Sequence, residues 1–62
     1  MKLNREVIVN LRTDKAFRGV LWMKRRAFIV LKGATLLEHG TSHAVDGEFI
    51  IQRDNIDFVQ AL

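Results

Sequence analysis

Phe17-Arg18-Gly19-Val20-Leu21 sets a glycine at the centre of a run whose apolar members recur at every second position. Upstream lies the alternating segment Val7-Ile8-Val9-Asn10-Leu11, and downstream the apolar run Ala27-Phe28-Ile29-Val30-Leu31. A glycine inside a strand permits a sharp bend or a close approach of another backbone, as when a short sheet curls into a small barrel.

Working outward from that stretch, the period-two pattern and the density of β-branched and aromatic residues predict an all-β chain of five strands. The first covers about Glu6 to Leu11, with Val7, Val9 and Leu11 on one face, and Arg12 to Lys15 form a polar turn. The second runs from about Ala16 to Met23, with Phe17, Gly19, Leu21 and Met23 directed inward. Lys24, Arg25 and Arg26 make a tight connection to a third strand, Ala27 to about Leu37. Glu38 to Gly47 reads as the longest loop, because it holds Gly40, Thr41, Ser42 and the turn-forming pair Asp46-Gly47. A fourth strand spans Glu48 to Arg53, Asp54 and Asn55 break the pattern, and a fifth runs from Ile56 to about Gln60. The few residues ahead of Glu6 allow one helical turn at most.

Sixty-two residues make a single domain, 1–62, with little core of its own: a chain this short buries only about 60% of the surface it exposes when unfolded. Cysteine is absent, which removes disulfides, thiolate nucleophiles and the usual zinc ribbons. Oligomerisation is the remaining means of stabilisation. The longest apolar run is Ala27 to Leu31, and residues 1–10 lack the apolar stretch of a secretory signal, so the protein is expected to be soluble and cytoplasmic with no membrane partner.

Charge is lopsided. From Lys2 to Lys32 there are nine cations against Glu6 and Asp14, a net +7; from Gly33 onward Arg53 faces Glu38, Asp46, Glu48, Asp54 and Asp57, a net −4. A basic half suits a polyanion such as nucleic acid, and opposed halves equally suit head-to-tail docking of identical subunits.

Laid end to end, these segments resemble the Sm-like family, which includes the LSm proteins and bacterial Hfq. The first family motif, V-x-V-x-L, then F-x-G-x-L, a turn and an apolar strand, is matched by Val7 to Leu11, Phe17 to Leu21 and Ala27 to Lys32. The second, typically I-R-G-x-x-I, is matched by Ile51-Gln52-Arg53-Asp54-Asn55-Ile56. The resemblance implies a strongly bent five-stranded, SH3-like barrel that closes into a homo-oligomeric ring of five to seven subunits. In it the fourth strand of one subunit pairs with the fifth of the next, with Ile50, Phe58 and Val59 at the contact. It further implies RNA, or single-stranded DNA, held at a central pore by the loops Lys24 to Ala27 and Gln52 to Asn55. The residues so implicated are Lys24, Arg25, Arg26, Phe28, Gln52, Arg53 and Asn55.

The chain departs from the family pattern in that pocket. Arg25 stands where an aspartate is expected, Ile29 where an asparagine often reads uracil, Gln52 at the usual arginine and Arg53 at the usual glycine. Hfq-type proteins place a basic residue at the last of these positions. Those departures favour backbone binding over base reading: a ring repeats Lys24, Arg25, Arg26 and Arg53 around one rim, and a modest charge per chain becomes a strong collective field. Stacking of bases on Phe28 or Trp22 would add about 1–3 kcal/mol each with little sequence preference.

Each residue also has a plainer role. The basic triplet suits a solvated hairpin loop, Trp22 and Phe28 suit barrel or interface packing, and Asn55 suits a turn former whose side chain bonds nearby backbone. His39 and His43 sit in a glycine-containing loop, and with Asp46 and Glu48 they are not expected to hold a metal. Ser42 beside His43 is not a triad, and Gly33 to Gly40 lacks a Gly-Lys-Ser/Thr phosphate loop. Neither enzymatic activity, a cofactor nor a small-molecule substrate is expected. The competing function is a scaffold or connector ring with no nucleic-acid ligand. In that case Arg12, Lys15 and Arg18, expected to lie away from the pore loops, would meet Asp54 and Asp57 of a neighbour.

Overall fold

Alternation builds the first hairpin. The computed structural model describes residues 2 to 62, and in it β1 (Glu6–Leu11) buries Val7 and Val9 while Glu6 stays exposed. Antiparallel to it, β2 (Ala16–Lys24) buries Phe17, Gly19 and Leu21, with Val7 opposite Gly19 and Val9 opposite Phe17. The long β3 (Phe28–Glu38) continues the sheet and buries Ile29, Leu31 and Ala34.

The bend comes from two bulges between β2 and β3. Arg18 pairs with Thr35 and Val20 with Lys32, which leaves Gly33 and Ala34 facing Gly19 alone. Gly33 is the residue that turns, at φ +59. Gly19 is the residue that lets the strands approach: a Cβ built there would lie 3.1 Å from both the Ala34 Cα and the Lys32 carbonyl oxygen. The second bulge falls on β2, where Leu21 pairs with Leu31 but Met23 pairs with Val30, leaving Trp22 as the extra residue. That insertion overturns one expectation: Met23 is half-buried and sits opposite Val30 rather than joining the core.

The segment expected to be the longest loop is instead a hairpin. A left-handed turn at His39 (φ +33) and Gly40 (φ +79) sends the chain back as β4 (Thr41–Ala44), paired with the end of β3, and the Thr41 Oγ1 donates to the Glu38 carbonyl oxygen at 2.8 Å. All four β4 residues are exposed, so no apolar alternation marks them in the sequence. The barrel therefore has six strands where five are expected. After Val45, whose N–H donates to the Ala34 carbonyl, β5 (Glu48–Gln52) pairs with the first half of β3. A 3-10 turn, Arg53–Asn55, leads to β6 (Ile56–Ala61), which pairs with β1.

Strand order is β4-β3-β2-β1-β6, with β5 on β3. The core gathers Val7, Val9, Phe17, Leu21, Ile29, Leu31, Ala34 and Ile51, and Phe49 tilts over Phe17 with ring centroids 4.4 Å apart. Leu3 and Asn4 form a turn ahead of β1, and no α-helix occurs among the described residues. None of their helices is long and apolar enough to cross a membrane. Among the described residues β5 bonds only to β3 and β6 only to β1, which leaves each with one open edge.

Candidate nucleic-acid interface

Two loops remote in sequence are joined here by backbone bonds. The β2–β3 connection closes with the Arg25 N–H on the Phe28 carbonyl at 2.8 Å, and the Arg25 Nη1 donates to the Lys24 carbonyl at 3.0 Å. Against it lies the 53–55 turn, held by the Arg53 N–H on the Ala27 carbonyl at 2.9 Å and the Arg53 Nε on the Arg25 carbonyl at 2.6 Å. The opposite side of that turn is held by Arg12, whose N–H donates to the Asn55 carbonyl at 2.9 Å and whose Nε donates to the Asp54 carbonyl at 3.0 Å.

That arrangement corrects one expectation. Arg12 does not lie away from the loops expected to hold nucleic acid, because the sheet's curl carries the β1–β2 connection to the turn after β5. Arg18 does stay apart: it forms an ion pair with Glu6 of its own chain at 2.9 Å. The hydrogen bond from Arg18, aided by its charge, holds the Glu6 carboxyl below the usual range and raises Arg18.

Between the two loops opens a cleft of about 380 Å³. The β2–β3 connection and the start of β3 supply Arg26, Ala27 and Phe28 to its lining, and β5 and the turn after it supply Ile50, Gln52, Arg53 and Asp54. Arg26, Phe28, Gln52 and Arg53 of the expected set thus converge on one space. Lys24, the last residue of β2, and Arg25 adjoin it in sequence, and Asn55 is not among its lining residues; the Asn55 carbonyl accepts from the Arg12 N–H. Asp54 and Arg12 were not singled out for the site; a polar turn residue carries no sequence signal of which distant loop it will meet. Ile29, which stands where the family often has its asparagine, is wholly buried in the core and offers a base nothing.

The residues expected at the subunit contact divide. Ile50 is 61% exposed and Phe58 52%, both on strands with an open edge, whereas Val59 is half-buried against its own core opposite Val9. Trp22, in β2, lies outside the core: it is 43% exposed, with the Lys32 Nζ 3.6 Å from its ring centroid. His43 stands 4.0 Å from Glu38, and no group of three potential metal ligands converges among the described residues.

Neither a family model nor a curated protein matches this sequence. Solved structures do match the barrel. The SmAP1 heptamer of P. aerophilum aligns 97% of this chain with 81% of its own at 21% identity and a TM-score of 0.89. A heptameric archaeal Sm protein aligns 97% with 88% at 21% identity and a TM-score of 0.88. A chain of the NatC complex bound to CoA aligns 94% with 75% at 17% identity and a TM-score of 0.85. The protein therefore has the Sm fold, an all-β, strongly bent barrel.

Proposed function

We propose that the protein is a binding module that closes into a homo-oligomeric ring and holds RNA, or single-stranded DNA, in clefts around its rim, in the service of RNA processing or regulation. The observation that carries this reading is the convergence of Arg26, Phe28, Gln52 and Arg53 on one cleft, with Arg53 bonded to the backbone of the loop that bears Arg26. Cations supply phosphate attraction and Phe28 a stacking face, so the expected binding is strong at low salt and weakly selective. The open edges of β5 and β6 support the ring, since antiparallel pairing of one with the other in a neighbour satisfies both and brings Ile50 and Phe58 together. Ile50 also lines the cleft, so each cleft would be walled by the next subunit. The heptameric assemblies of two matched structures accord with this.

Labelled oligo-U, oligo-A and single-stranded DNA titrated across a salt series test the reading. Tight binding that weakens linearly in log salt, and a shallower slope for Arg26→Gln with Arg53→Gln, is the expected result; no binding of any of the three would end it.

A second reading, a protein-docking scaffold, draws on Asp54 within the cleft and on the match to a chain of the NatC complex. It predicts an assembly that ignores all three oligonucleotides.

A further inference from the structure

We propose that the outer face of β3 carries a second contact for the same strand of nucleic acid, formed by Trp22 and Lys32. This rests on the cleft being a nucleic-acid site and extends it along the sheet.

Along β3 the side chains alternate: Ile29 and Leu31 enter the core, so Phe28, Val30 and Lys32 share the other face. Phe28 opens into the cleft. Lys32 lies four residues further on, about 13 Å away at about 3.3 Å per residue. The β2 bulge at Trp22 sets the indole beside Lys32, whose ammonium covers the ring at 3.6 Å while 43% of the residue stays in solvent. Val30, between the two ends, is only 4% exposed, so the strip is two separate contacts rather than a continuous surface.

The strip therefore begins with an aromatic ring and cations, Phe28 with Arg26 and Arg53, and ends with another such pair, Trp22 with Lys32. A single strand of nucleic acid repeats the complementary pair, a flat base and a phosphate. An indole already ordered by a cation loses little freedom when a base stacks on it. The partner is single-stranded, because paired bases offer no face to the ring. Glu48 stands opposite Lys32 in register and opposes phosphate there.

Trp22 is the only tryptophan of the chain and there is no tyrosine, so intrinsic emission reports on this spot. The probes are oligo-U of roughly three and roughly twelve nucleotides, and a duplex of the longer length. The longer strand is expected to quench Trp22 emission; its affinity, read by anisotropy of the labelled strand, should fall roughly tenfold in Trp22→Ala and recover most of that loss in Trp22→Phe, with the trinucleotide unaffected. Lys32→Gln should lower the salt slope by about one, and Glu48→Gln should tighten binding. Unchanged emission and unchanged Trp22→Ala affinity, while Arg26→Gln with Arg53→Gln still weakens binding and flattens its salt slope, would overturn this contact and leave the cleft standing. Equal quenching by the duplex would overturn the stacking. Failure of every probe to bind would remove the cleft reading and this one together.

Discussion

The Nε of Arg53 donates a 2.6 Å hydrogen bond to the backbone carbonyl of Arg25, across 28 residues of sequence. One donor of the guanidinium thus fixes the side chain, and in the proposed function the rest of its planar fork would address a phosphate. A lysine keeps the charge but cannot make both contacts from one rigid group. Arg53→Lys should weaken oligonucleotide binding several-fold with the salt slope retained, whereas Arg53→Gln should also lower the slope by about one, both read by fluorescence anisotropy.

Two glycines of the bend are kept for different reasons, and substitution separates them. At Gly19 an added methyl meets Ala34 Cα and the Lys32 carbonyl at 3.1 Å, contacts made by backbone that cannot swing aside. Gly19→Ala should cost about 1–3 kcal/mol in urea unfolding. At Gly33 an added methyl meets nothing within 4 Å, and only the left-handed φ of +59 resists. Gly33→Ala should cost about 1–2 kcal/mol.

How legible the fold was follows from the same contacts. Val7, Val9, Phe17 and Leu21 alternate because one face of each strand is buried, so period two exposes β1 and β2 directly. β4 escapes because Thr41 to Ala44 have no buried face, and their strand character comes wholly from pairing with β3. Met23 departs from the expected inward set for a related reason: the residue inserted at Trp22 shifts the alternation, and no local residue type announces the bulge. Around the cleft, Arg26, Phe28, Gln52 and Arg53 are readable through the loops and motif they belong to, while Arg12 meets the 53–55 turn only through the curl of the sheet.

The open edges predict a clean division among the residues expected at the subunit contact. Ile50→Asp and Phe58→Asp alter exposed positions, where substitutions change the stability of a lone chain by about 0.5 kcal/mol or less. Both should release a folded, strand-rich monomer in light scattering. Val59→Asp puts a charge against the chain's own core and should lose circular dichroism signal as well. An oligomer that survives Ile50→Asp and Phe58→Asp together would show that the subunits meet elsewhere.

The Glu6–Arg18 pair gives a small acid-side dependence. Glu6 titrates below its ordinary 4.5 in the folded chain, chiefly through the Arg18 hydrogen bond and then its charge. Its contribution is therefore complete above about pH 4.5 and disappears as pH falls through the lowered value. The urea midpoint of Glu6→Gln should match wild type at the acid end and fall slightly below it from about pH 5 upward. Because both side chains are solvated, added salt should narrow the gap.

The central claim, a ring of Sm-fold subunits that binds single-stranded nucleic acid, is tested most directly by light scattering on the purified chain with and without labelled oligo-U. The account predicts a particle of five to seven copies of the 7.2 kDa chain that gains the mass of the oligonucleotide at low salt and releases it, still assembled, at high salt. A stable monomer, or a ring whose mass no oligonucleotide changes at any salt, would contradict it.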